Sequence, residues 1–185
     1  YVMFMIIFSY ITMRSVPDNE WGQALPESSA QVAVPVVIAA TCVMLYFVNV
    51  PGYAAASGII QGLSPQPSGV TKNLEYFKQA SAGNGLGLQE VGEQFIQFAI
   101  QARSVNVGDQ KFQMDVASAA RDTFLRVLEQ APTDARLLVF YGSFLRQCGD
   151  VNGAREYLGK AEVVSPLKQS ILIERGVLEY ADGKY

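Results

Sequence analysis

The feature that most restricts how this chain can fold is a pattern that returns after 34 residues. Ala120, Phe124, Val127 and Pro132 are replaced 34 positions on by Ala154, Leu158, Ala161 and Pro166. Leu138, Gly142 and Gly149 are replaced, at the same interval, by Leu172, Gly176 and Gly183. An interval of this length is a supersecondary unit that cannot bury its apolar face alone and so stacks on copies of itself. Within the unit, Leu138, Tyr141, Gly142 and Leu145 share one face of a helix, and Ala154, Leu158 and Ala161 share one face of a second. Gly149-Asp150 supplies a turn that can take a left-handed residue, and Pro166 closes the unit. The small Gly142 and Ala154 fall where the two antiparallel helices must approach closely.

These residues resemble a tetratricopeptide (TPR) repeat. The expected fold class is therefore all-α, with a transmembrane helix or helices followed by a TPR-like α-solenoid of helical hairpins. In such a stack the first helices line one concave side. Arg136, Val139, Ser143 and Arg146 share that side in the best-formed repeat, and Ser170, Ile173, Val177 and Tyr180 match them in the next. Arg136, Val139, Ser143, Arg146, Ile173 and Tyr180 form the candidate surface for a protein or peptide partner. Two guanidiniums on one helix suit an acidic peptide or a phosphate group. Equally, both can pair with Asp134, Asp150 or neighbouring acids, and the sequence leaves that open.

The period weakens towards the N-terminus. Asn73, Phe77 and Ala80 keep the spacing of Ala154, Leu158 and Ala161, so Thr71 to Ala80 reads as a degenerate second helix of an earlier repeat. An amphipathic helix begins at Leu88, with Val91, Phe95, Phe98, Ala99 and Ala102 on its apolar side. A turn at Asn106 to Asp109 leads into Phe112–Ala131, and the insertion relative to a 34-residue unit falls between Gln89 and Met114.

Charge divides the chain further. Only Arg14, Asp18, Glu20 and Glu27 are charged before Lys72, so a mean hydropathy of +0.16 averages an apolar front and a soluble back. The 44 residues between Glu27 and Lys72 carry no charge, and Val32 to Val50 within them is a mostly apolar stretch of 19. As a helix it would reach about 28 Å, close to the hydrocarbon thickness of a bilayer. A core helix of a large soluble domain is the alternative. Pro51-Gly52 should kink or end that helix, and Tyr46, Phe47 and Tyr53 fit either an interfacial belt or ordinary packing. Tyr1 to Met13 reads as a truncated membrane helix, followed by a linker over 14–28 with Trp21 as an interfacial anchor. The expected organisation is membrane helices over 1–63, a turn-forming linker over 64–69, atypical TPR-like helices over 70–131, and TPR repeats over 132–185.

Several chemistries lose their usual residues. There is no histidine, and Cys42 and Cys148 lie 106 residues apart in no metal-binding spacing. A net charge of -3 and a pI near 5.0 argue against nucleic acid. Gly83-Asn84-Gly85-Leu86-Gly87 lacks the preceding strand and following Lys-Ser/Thr of a phosphate loop and reads as a connector. Glu90 and Glu93 could share a cation but more often form a solvated face, and Ser143, Ser165 and Cys148 have no general base in the sequence pattern. The sequence assigns this stretch no catalytic residue, no cofactor and no metal.

An apolar helix ending in YFVNVPGYAAASGIIQGL, followed by units containing QEVGEQF, DARLLVFYGSFLRQCGDVNGA and KAEVVSPLKQSILIERG, resembles the C-terminal end of bacterial O-antigen ligase-like membrane proteins with TPR tails. The resemblance implies a multi-spanning protein of the bacterial inner membrane, in contact with lipid, that moves a glycan from a polyprenyl-diphosphate carrier to an acceptor without a metal. That family's catalytic loop precedes its last membrane helices, so the polyprenyl-linked glycan would be handled upstream of Tyr1 and this stretch would be an internal fragment. The repeats would then recruit an acceptor or assembly partner. Arg14 favours repeats on the extracytoplasmic side, whereas Lys72 and Lys78 pull the other way. A membrane-anchored TPR scaffold with no enzyme upstream is the competing reading.

Overall fold

The computed structural model of the chain describes residues 5–7, 9–11, 27–83, 85 and 87–183. The expectations for Arg14, Trp21 and most of the 14–28 linker lie outside the described residues. Among those residues the fold is all-α. After short helical stretches at 5–7 and 9–11 come α1 (Glu27–Leu63), α2 (Val70–Ala80), α3 (Leu88–Ser104), α4 (Gln110–Gln130), α5 (Ala135–Gln147), α6 (Val151–Val164) and α7 (Gln169–Ala181). By compactness the chain divides between Leu45 and Tyr46.

In the N-terminal unit the described side chains are exposed, among them Val32, Val36, Val37, Ile38 and Val43. α1 is one helix from Glu27 through Pro51-Gly52 to Leu63, so of the expected kink or end at that pair the end does not occur. Its Pro35–Leu63 portion is long and apolar enough to cross a membrane, and none of its most apolar window is buried.

The C-terminal unit is a row of hairpins. Short aspartates set where its helices start: the carboxylates of Asp109, Asp134 and Asp150 accept from Phe112 N (2.7 Å), Arg136 N (2.8 Å) and Gly153 N (2.9 Å), respectively. Gly149, with φ +86°, makes the left-handed turn between α5 and α6 that its sequence position requires. Where α5 crosses α6, a Cβ on Gly142 would stand 2.9 Å from Leu158 Cγ and 3.4 Å from the Ala154 carbonyl oxygen. The close approach read from Gly142 and Ala154 is present.

The same contact recurs twice upstream. On α3 a Cβ at Gly92 would stand 2.9 Å from Val127 Cγ2 and 3.2 Å from the Phe124 ring on α4. On the last turn of α1 a Cβ at Gly62 would stand 2.8 Å from the ring of Phe77 on α2. Phe77, Phe124 and Leu158 are equivalent positions of the second helices, so α1 ends as the first helix of a hairpin and Ser64–Gly69 is its turn. The buried Asn73 amide closes that hairpin by donating to the carbonyls of Gly62 and Ser64, both at 2.7 Å, at a helix end whose carbonyls have no intrahelical partner.

Aromatic side chains join one hairpin to the next. The Phe77 ring stacks on Phe95 at 4.8 Å and Phe124 on Tyr141 at 5.5 Å, in both cases from a second helix to the following first helix. α2 packs on α3 and α4, α3 and α4 on α5, and α5 and α6 on α7, with contacts confined to neighbouring hairpins among the described residues.

The insertion lengthens the α3–α4 hairpin at its closed end. Gly92 stands 50 residues before Gly142, whereas Phe124 stands 34 before Leu158. The sixteen-residue difference carries both helices about two turns further past the glycine contact, and their full lengths are 17 and 21 residues against 13 and 14 in α5 and α6. The hairpin therefore overhangs the α5–α6 turn.

Candidate partner-binding surface

The residues expected to face a partner lie on α5 and α7. Arg136 occupies the first turn of α5 and Arg146 its last, with half-buried Val139 and Ser143 between them. Ile173 and Tyr180 on α7 are 63% and 74% exposed.

Both arginines are engaged by acids of neighbouring first helices. Arg136 makes a forked pair with Glu93 on α3, Nη1 to Oε2 at 2.9 Å and Nη2 to Oε1 at 2.7 Å. Arg146 Nη2 reaches Glu174 Oε2 on α7 at 3.3 Å. Of the two readings the sequence left open, the structure contains the ion pairs, made with Glu93 and Glu174. Asp134 and Asp150 instead cap helices, Asp150 also lying 3.7 Å from Arg121. The Arg136 hydrogen bonds hold the Glu93 carboxyl below the usual carboxylate range, and Glu93 raises the Arg136 guanidinium in turn.

The face is thus a charged ladder tying first helix to first helix. A second set runs between other helices, with Arg155 on α6 meeting Glu179 at 3.0 Å and Asp182 at 2.9 Å, and Arg175 on α7 meeting Glu162. Exposed pairs of this kind contribute little energy each, but they fix which turn of one hairpin lies against which turn of the next. What remains towards solvent on the α7 part of the face is mostly apolar, Ile173, Val177 and Tyr180 beside the exposed Ser170.

The other residues weighed for chemistry are placed as follows. Glu90 accepts from Gln94 at 3.0 Å and Glu93 from Gln89 at 3.0 Å, and no group of acids or thiols suited to a metal ion occurs among the described residues. Cys42 and Cys148 are free thiols, and burial pushes the Cys148 thiol up, away from the reactive thiolate. Sequence reasoning missed the Glu93 and Glu174 partners because their separations of 43 and 28 residues carry no local signal. It also missed a cleft under the overhang of the α3–α4 hairpin, which the broken period at Gln89–Met114 could have located.

No protein-family model, no curated protein and no solved structure matches this chain.

Proposed function

We propose that the chain is a membrane-anchored interaction module, in which α1 crosses a bilayer and the hairpins form a TPR-like solenoid that holds a protein or peptide partner. The anchor is supported above all by the wholly unburied apolar window of α1, because soluble proteins avoid exposing contiguous apolar surface of that extent. The solenoid is supported by one glycine contact repeated in three successive hairpins, at Gly62, Gly92 and Gly142. With Arg136 and Arg146 occupied in holding neighbouring helices, the partner contact falls to the apolar side chains around Ile173 and Tyr180.

The resemblance to O-antigen ligase-like tails extends the proposal to a parent protein of the bacterial inner membrane. In that reading, glycan transfer from a polyprenyl-diphosphate carrier belongs to segments encoded before Tyr1, and the hairpins, on the extracytoplasmic side, recruit the acceptor. A run of further apolar segments in the upstream coding region is the expected finding. Their absence makes the chain a scaffold without an enzyme.

The anchor is tested by washing membranes of expressing cells with alkaline carbonate. The chain should stay in the membrane pellet, and lysines at Val43 and Phe47 should release it, since each costs about 2.5–3.5 kcal/mol at the centre of a span. Recovery of the unsubstituted chain in the wash refutes the anchor.

A further inference from the structure

Beyond this reading, the extra turns of α3 and α4 build a cleft of about 690 Å³ with the end of α5, lined among others by Ile100, Arg103, Gln110, Met114, Gln147 and Cys148. Its size lies within the range of about 300–1,000 Å³ common for ligand sites. The hydrophobic core of the hairpins does not require it, because α5 and α6 close the same glycine contact without those turns.

The lining has a definite chemistry. Ile100, Ala99 and Ala117 give it an apolar floor, and Met114, 66% exposed, adds a side chain able to adapt to irregular shapes. Gln110 and Gln147 present amides that make no hydrogen bond within the described structure, and each can donate and accept as a peptide backbone demands. Arg103 is the one charged residue of the lining. Its Nη1 donates to the Cys148 carbonyl at 3.2 Å, which fixes the guanidinium at the cleft, and among the described residues its charge has no acidic partner.

We infer that this cleft binds the C-terminus of a peptide with an aliphatic last residue, the carboxylate on Arg103, the backbone on Gln110 and Gln147, and the side chain over Ile100 and Met114. A guanidinium selects a carboxylate over a neutral amide, and unpaired glutamine amides favour an extended backbone over a purely apolar ligand.

Cys148 provides the readout. The full chain carrying Cys42→Ser, in mild detergent micelles, has a single thiol at the cleft. Its alkylation by N-ethylmaleimide is timed with a pool of N-acetylated tetrapeptides, randomised at three positions and ending in Leu, Ile or Val. The pool is used once as free acids and once as C-terminal amides. The free-acid pool should slow alkylation and the amide pool should not. Arg103→Gln should raise the concentration for half-protection about tenfold, as expected for losing a hydrogen bond to a charged group. Gln110→Ala, on an exposed position, should weaken protection by the free acids, measured against its own unliganded alkylation rate. No protection by free acids at millimolar concentration, or equal protection by acids and amides, overturns the inference. Equal protection of Arg103→Gln and the parent chain does so too.

Discussion

Gly142 and Gly176 are equivalent in sequence and opposite in surroundings, which makes them a controlled test of what holds the hairpins together. Alanine in a helix interior is favoured over glycine by about 1 kcal/mol, so both substitutions start with the same gain. At Gly176 nothing beyond the adjacent residues and backbone of its own helix lies within 4 Å of the new methyl, and Gly176→Ala should stabilise by about that 1 kcal/mol. At Gly142 the methyl would stand 2.9 Å from Leu158 Cγ and 3.1 Å from Cδ2, inside the contact distance of two carbons. Leu158 is fully buried, so the new methyl is admitted only if that side chain shifts within the core or α5 and α6 separate and loosen contacts along their length. Overpacking of this kind costs about 1–3 kcal/mol, which leaves Gly142→Ala neutral to about 2 kcal/mol destabilising, and Gly142→Leu worse. The measurement is urea unfolding of the full chain in mild detergent, read by pulse proteolysis so that the signal comes from the hairpins. If Gly142→Ala stabilises as much as Gly176→Ala, the close crossing is not what the position requires, and the recurring contact loses its structural meaning.

Three further outcomes follow from the side chains around that crossing. Glu93→Gln should cost about 0.2–1 kcal/mol at neutral pH, the range for an exposed pair. Because the folded Glu93 carboxyl is held below its ordinary value, that contribution is present above the unfolded carboxylate range and lost as pH falls through the lower folded value. Urea titrations of both proteins should therefore converge in acid, and a constant gap would show that the charge is not involved. Tyr141 Oη is buried with no partner in hydrogen-bond geometry, and burial pushes the phenol up to about 12. Its contribution is complete below the ordinary tyrosine range and lost as pH rises towards 12, so Tyr141→Phe should unfold less readily in alkali and be no less stable at neutral pH. Destabilisation at neutral pH would mean that nearby Arg121 supports the hydroxyl. Arg146→Glu should set two carboxylates against each other beside Glu174 and loosen α7 by about 1–2 kcal/mol, seen as faster amide exchange confined to α7. Unchanged exchange there would remove the ladder as a register device.

The parts of this fold legible in the sequence are those encoded within one turn or one period. The 34-residue recurrence located α5, α6 and α7, Gly149 marked its left-handed turn, and Gly142 with Ala154 marked the crossing. Gly92 was not singled out, because the sixteen inserted residues shift it out of the period although its contact with Phe124 and Val127 is the same. Gly62 escaped for another reason: it sits in an uncharged run whose hydropathy suggests a membrane helix, and only Asn73 and Phe77 across the turn show that the run ends as half of a hairpin. Pro51-Gly52 does not end the helix, which is one of the two outcomes it suggests. A proline lacks an N–H and strains the preceding turn, yet α1 continues through it to Leu63.

The ion-pair ladder also indicates where binding chemistry can reside in a stack of this kind. Where the first helices run alongside one another Glu93 takes Arg136 and Glu174 takes Arg146, so these charges are engaged within the chain, although Arg146 Nε is buried with no hydrogen-bond partner among the described residues. Polar groups are left without such partners where the match fails. α3 and α4 outreach α5 and α6, so the end of α3 has no first helix beside it, and Arg103 finds only the Cys148 carbonyl. Gln110 and Gln147 meet the same lack of a counterpart. Arg103, Gln110 and Gln147 are exposed, so an occupant of the cleft exchanges their bonds to water for its own at a net gain of about 0.5–1.5 kcal/mol each, more for the charged Arg103, and all three groups come together only at this irregular edge. Shortening α3 and α4 by the sixteen inserted residues should therefore abolish peptide protection of Cys148 while leaving the glycine-mediated crossings intact. Retained protection would place the binding chemistry on the regular face after all.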